Sequence, residues 1–318
     1  MKYLLYLAVL LSSQLSAAQT ERINFKLNEF YPEGIASNSK TNSFFIGSVK
    51  TGTIVTVDMN GEAKIFYEDR SLKSSFGMKV DTMRNLLWVC TGDPNYSVYA
   101  DPATHKKSIH IVTLDLDNGK KIQDHDLSGL YAGKHFANDL TLDNAGNVYI
   151  TDSYSPVIYR IDSKGKIGVW AESELFRGLD IGLNGITWHP GGFLIAVNNG
   201  NGSILKIATD VPNKAEIVKV SNFFPGADGL LINAEGHLVL VQNKGVNKVF
   251  ELGSADNWKS ASIVKATASA DMFHQPSTCA QQQGKIYVVN SKLNELQDPG
   301  ITPSKEFSLQ VAVLRPVQ

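Results

Sequence analysis

The chain lacks most of the features by which a fold or activity is usually read. Cysteine is nearly absent, with only Cys90 and Cys279 in 318 residues. Two are too few for a disulfide framework, so core burial has to hold the fold. The repeats described below put them in different blades and at opposite ends of their strands, and both are expected as buried free thiols. There is no block of Lys or Arg, and the formal net charge is −1. A nucleic-acid surface or an electrostatic membrane anchor needs clustered cations, so neither partner is expected. Past the N-terminus no apolar run approaches the ~20 residues of a membrane span. No stretch keeps a helical period, which removes the main support for a parallel α/β architecture. The G-x-S-x-G, H-E-x-x-H, Walker A and dinucleotide patterns are all missing, and with them most familiar hydrolase, protease and nucleotide-enzyme readings.

Apolar material is ample at 43% hydrophobic residues, enough for a substantial core. The first residues, MKYLLYLAVLLSSQLSAAQ, carry one cation at Lys2, an apolar run from Leu4 to Leu11, and small residues Ser16 and Ala18 where a signal peptidase reads. The reading is a cleaved signal over 1–18, a mature start at Gln19, and a secreted or periplasmic protein. No Cys follows the run, so a lipoprotein is not indicated.

The rest of the chain alternates short β-branched or aromatic runs with Gly, Asn and Asp, as in SFFIGSV, LLWVCTGD, NVYITDS, FLIAVNN, HLVLVQN and KIYVVNS. These read as strands and tight hairpins. One phrase recurs: a polar-plus-Gly opening, an apolar strand, a turn, then an aromatic-apolar strand. Its copies begin at Glu33, Gly77, Asn138, Asn184, Asp228 and Pro276. The spacing is about 44–48 residues with one longer step of about 61, the scale of a four-stranded propeller blade. The predicted fold is all-β: a single domain over 19–318, a six-bladed β-propeller of four-stranded antiparallel blades around a central channel, expected as a monomer. The strand near ERINFKL should pair with the C-terminal SLQVAVLRP and close the ring. The segments 93–107 and 294–307 should be extended loops in blades two and six, and long loops are more often functional than accidental.

In a propeller the inner strand of every blade starts beside the channel, so equivalent repeat positions converge. Of the six openings, Glu33, Asn138, Asn184 and Asp228 are oxygen donors. Zn²⁺ or Cu²⁺ would call for His or Cys, whereas carboxylate and amide oxygens suit a hard cation: Ca²⁺, or alternatively Mg²⁺ or Mn²⁺. Two carboxylates leave such a site formally neutral once a dication is bound.

The segments PEGIAS, ANDLTLDNAGNVYITDS, GLNGITW and GADGLL resemble the signature segments of the senescence-marker-protein/gluconolactonase family, which includes regucalcin and is related to diisopropyl fluorophosphatase and the paraoxonases. The resemblance covers nearly all of the mature chain. It implies a six-bladed propeller, an axial Ca²⁺ held by Glu33, Asn138, Asn184 and Asp228, and hydrolysis of small lactones or esters with Asp228 as candidate general base. One departure stands out. Sugar-lactone members carry an Arg two residues before the first Asn, where this chain has Phe136 in HFAND, so an apolar or aromatic lactone or ester is as good a substrate as a sugar. His135, Phe136 and His274 are the substrate-pocket candidates. The runner-up is a non-catalytic secreted propeller that binds a small molecule or lipid at the same mouth, since DNWKSASI (Asp256–Ile263) is similar to a stretch of a secreted fungal allergen of this superfamily.

Overall fold

The structure is a computed structural model and describes residues 21–317 apart from 299; the expected signal segment lies outside the described residues. Strand β1 (Arg22–Lys26) is followed by blade one, β2–β5 (Pro32–Asn38, Ser43–Ser48, Ile54–Asp58, Ala63–Tyr67), and blade two, β6–β9 (Ser74–Asp81, Leu86–Gly92, Ile109–Asp115, Lys121–Asp126). Blade three is β10–β13 (Ala137–Leu142, Val148–Asp152, Val157–Ile161, Ile167–Glu172), and blade four is β14–β17 (Leu183–His189, Phe193–Asn198, Ile204–Ala208, Glu216–Ile217). Blade five is β18–β21 (Ala227–Ile232, Leu238–Gln242, Lys248–Gly253, Ser262–Ala266), and blade six begins with β22–β24 (Pro276–Gln282, Lys285–Asn290, Glu306–Val311). The short β25 (Arg315–Pro316) ends the chain's strands. The fold is the predicted six-bladed propeller.

Burial falls from the axis outward. The second strand SFFIGS of blade one is buried at every position, while the fourth strand KIQDHD of blade two is largely exposed. Large side chains from facing blades fill the space between them: Tyr149 and Ile158 of blade three pack with Leu194 and Ala196 of blade four. Each such residue, fully buried, contributes about 1.5–3 kcal/mol. Cys90 and Cys279 are both buried and free, though Cys279 lies mid-strand in β22 rather than at an end.

Closure follows the expectation. Strand β1 is the outermost strand of blade six, paired antiparallel with β24 from Arg22↔Gln310 to Lys26↔Glu306. One addition was not foreseen. Strand β25 crosses to the edge of blade five, pairing Ala266 with Arg315, and the Arg315 guanidinium meets the Asp271 carboxylate at 2.8 Å.

Every inner strand carries a bulge at the same place. The ladder between first and second strands shifts between Pro32 and Ile35, Ser75 and Met78, Ala137 and Leu140, Leu183 and Ile186, Ala227 and Leu230, and Pro276 and Cys279. Two residues per blade therefore leave the ladder, and a bulge re-aims their side chains. The first bulge residues are Glu33, Phe76, Asn138, Asn184, Asp228 and Ser277. The second are Gly34, Gly77, Asp139, Gly185, Gly229 and Thr278. Gly77 and Pro276 are thus each one residue off the position they were expected to share with the four oxygen donors.

Candidate functional site

The four predicted donors all occupy the first bulge position and all are buried. Part of what fixes them comes from the ends of the second strands, where blades three to six place two polar residues in a row. The first of each pair holds the crossover loop that enters the blade: Asp152 accepts from Phe136 N–H (2.9 Å), Asn198 donates to Arg177 C=O (2.7 Å), Gln242 donates to Pro225 C=O (2.8 Å), and Asn290 accepts from His274 N–H (2.7 Å). In blades three, five and six the second reaches the bulge, whereas Asn199 of blade four donates to Ala227 C=O at 3.0 Å. Asn138 Nδ2 donates to Ser153 Oγ at 3.0 Å, Asn243 Nδ2 donates to Asp228 Oδ2 at 2.6 Å, and Ser291 Oγ donates to Ser277 Oγ at 2.6 Å. With its amide nitrogen committed to Ser153, Asn138 keeps Oδ1 as its free end.

The charge on this floor is unbalanced. Burial pushes the Glu33 carboxyl well above the usual carboxylate range, and the charges of Asp228 and Asp139 push it further. Burial likewise raises Asp228 well above its ordinary value, and Asp139 adds to this, against hydrogen bonds from Asn243 and Asn184. Glu33 Oε2 and Asn184 Oδ1 are sealed from solvent with no hydrogen-bond partner among the described residues. Orphaned buried acceptors of this kind are rare and call for an explanation. Two carboxylates and two amides, with one partnerless oxygen on Glu33 and one on Asn184, form a donor set that fits a hard divalent cation.

Asp139 was missed by the sequence reading, although it stands next to Asn138 in the same motif. Its oxygens are spent elsewhere: Oδ1 accepts from Leu140 N–H (2.8 Å), Oδ2 from Ile186 N–H (3.3 Å), and Lys79 Nζ lies 4.0 Å away. It braces the inner strands. Among the described residues no three His, Cys, Asp or Glu side chains are grouped as metal ligands, so a cation here depends on the asparagine oxygens.

Above the floor the mouth is aromatic. Phe136 is buried with its ring 4.6 Å from that of Phe76 and 5.5 Å from that of Tyr154, and Tyr96 from the blade-two insertion sits 6.4 Å from Phe76. The Tyr96 phenol is raised by burial first, then by the charges of Glu33 and Asp228. His135, in the loop before β10, is 2% exposed, with Nδ1 2.8 Å from Asp152 Oδ2 and 3.3 Å from Tyr159 Oη. His274 is exposed and lines a cavity of about 770 Å³ that also reaches Asn243, hence the Asp228 side of the mouth. The Trp258 of DNWKSASI is buried away from the mouth, its indole N–H donating to His189 Nε2 at 3.1 Å.

No family model and no curated protein matches this sequence. Solved structures do. The major allergen of Malassezia sympodialis superposes with a TM-score of 0.72 at 19% identity, covering 92% of this chain and 95% of that one. The likeness is one of fold. A luciferin-regenerating enzyme follows at TM-score 0.63 and 14% identity, covering 93% and 98%. A gluconolactonase of Xanthomonas campestris superposes at 0.58 and 17% identity, covering 91% and 89%. A streptogramin B lyase shares the architecture too, at 0.60 and 15% identity with coverages of 92% and 97%, so the fold is common to several chemistries.

Proposed function

We propose that this chain is a divalent-metal-dependent hydrolase of small lactones or esters, with Glu33, Asn138, Asn184 and Asp228 holding one Ca²⁺. The observation that carries the reading is the pair of sealed, partnerless oxygens, Glu33 Oε2 and Asn184 Oδ1, beside the Asp228 carboxyl. Buried carboxylates without a counter-charge are costly, and a cation between them removes that cost. When bound, the dication supplies Lewis-acid polarisation of the substrate carbonyl. Asn243 fixes one oxygen of Asp228, which orients the other to take a proton from an attacking water. Phe136, Phe76 and Tyr96 keep the mouth apolar and hold bulk water away from that proton transfer. The gluconolactonase among the solved propellers supports the same direction.

The test is turnover on aliphatic, sugar and aryl lactones with calcium and with chelator. Activity that appears with calcium and disappears with chelator is expected. No turnover on any of the three with calcium present rejects the enzyme and leaves the binding-only reading. Asp228→Asn is expected to lower turnover by about 10²-fold or more, the usual scale of a general base. Calcium binding that survives in that variant assigns Asp228 to proton transfer; unchanged activity refutes both its roles.

A further inference from the structure

The insertion in blade two is a folded element with a definite aim. Asp93, buried at its root, accepts from Asp101 N–H (3.0 Å) and from Thr104 Oγ1 (2.8 Å). Ser97 Oγ donates to Lys73 C=O at 2.7 Å, and His135 N–H donates to Lys106 C=O at 2.8 Å. These bonds pin the loop across blades two and three and leave a recess of about 470 Å³ between it and the crossover into blade four. Tyr96, Tyr154 and Phe176 give the recess an aromatic wall, while Lys106, Lys134 and Arg177 face a single acid, Asp180. Arg177 is already matched by Glu174 at 2.7 Å. Lys106 and Lys134 have no acidic partner within 4.0 Å among the described residues, and Lys106 Nζ lies 5.5 Å from the Tyr154 ring centre. Lys106 is held at φ 54°, a backbone region disfavoured for a residue with a Cβ. Ser153 lines the recess and also accepts the Asn138 amide at 3.0 Å, so a single residue stands between the recess and the axial floor.

We infer that this recess recognises an aromatic anion: an aryl ring lies against Tyr154 and Tyr96, and its carboxylate meets Lys106 and Lys134. The inference rests on the hydrolytic reading above and gives it a substrate class, an aryl lactone or ester bearing a carboxylate. Two ammonium groups without acidic partners, Lys106 beside the Tyr154 face and the exposed Lys134 at the rim, favour such a ligand over a sugar, whose hydroxyls need paired donors and acceptors.

The test is titration calorimetry of the calcium-loaded protein with isophthalate and with its neutral isostere isophthalamide. The anion is expected to bind about tenfold more tightly, and that preference is expected to vanish in the Lys106→Gln/Lys134→Gln double variant. Equal binding of anion and amide overturns the assignment. So does a preference that persists in the double variant and disappears in Glu33→Gln, since it would move the anion to the axial residues. The two readings can fail separately. Anion binding without any lactone turnover retains the recess and sinks the hydrolase; turnover on neutral aryl lactones with no anion preference sinks the recess alone.

Discussion

Glu251 shows how a single buried charge sets a pH response away from the axis. It is 2% exposed on β20 and accepts from His237 Nδ1 at 2.8 Å and from Lys265 Nζ at 3.1 Å. Burial alone would raise its carboxyl, yet these two partners outweigh it and hold the group below its ordinary value of 4.5. The unfolded chain therefore takes up the proton first as pH falls. The stabilisation is complete above the ordinary carboxylate range and is lost as pH drops through it toward the folded value. Glu251→Gln should cost about 1–3 kcal/mol at neutral pH and should flatten the decline of stability below about pH 4.5, as measured by urea unfolding across a pH series. A decline as steep as in the parent chain would place the acid sensitivity elsewhere.

At the scale of elements the inner-strand bulges do most to build the site. They bring neighbouring inner strands so close that a side chain at the second bulge position has little room: a Cβ on Gly77 would lie 2.4 Å from Asp139 Oδ1 and 2.7 Å from Asn138 C=O. Gly77→Ala is expected to destabilise the fold by about 1–3 kcal/mol through overpacking and to weaken calcium binding by displacing Asn138. Thermal unfolding and calcium titration check both effects, and a stable variant with unaltered calcium affinity would show that the crowding is relieved without moving Asn138. The strands themselves were legible in the sequence, because runs such as FLIAVNN and HLVLVQN carry period and turn residues together. That Glu33, Asn138, Asn184 and Asp228 occupy one equivalent, buried position was legible because they share a repeat phase. The bulge register was not, since it is a property of backbone pairing, and the phase drifted by one residue at Gly77 and Pro276. The supporting residues Ser153, Asn243 and Ser291 stood in three of the repeats as the polar residue just after the second strand, but only the paired geometry shows that they reach the bulge. The burial of His135 was not legible, because this loop residue is held by Asp152, which β11 contributes.

At the scale of the whole molecule the ring joins what the chain keeps apart. Strand β1 closes it by pairing with β24, and Ser277 Oγ then donates to Glu33 C=O at 2.8 Å across that closure. Burial raises Glu33's carboxyl above its ordinary range, and Glu33 from blade one and Asp228 from blade five come close enough for the Asp228 charge to add to that rise. Among the described residues no helix is long and apolar enough to cross a membrane, and the ring's stability rests on its inter-blade packing. We propose that this closed ring traps one hard cation between blades. The most direct test is calorimetric titration of Ca²⁺ into metal-stripped protein, with melting followed in parallel. The account predicts one ion per chain, stabilisation of about 2.7 kcal/mol when calcium exceeds the dissociation constant 100-fold, and loss of both effects in Glu33→Gln and in Asn184→Ala. No saturable binding, or binding that survives in both variants, would contradict it.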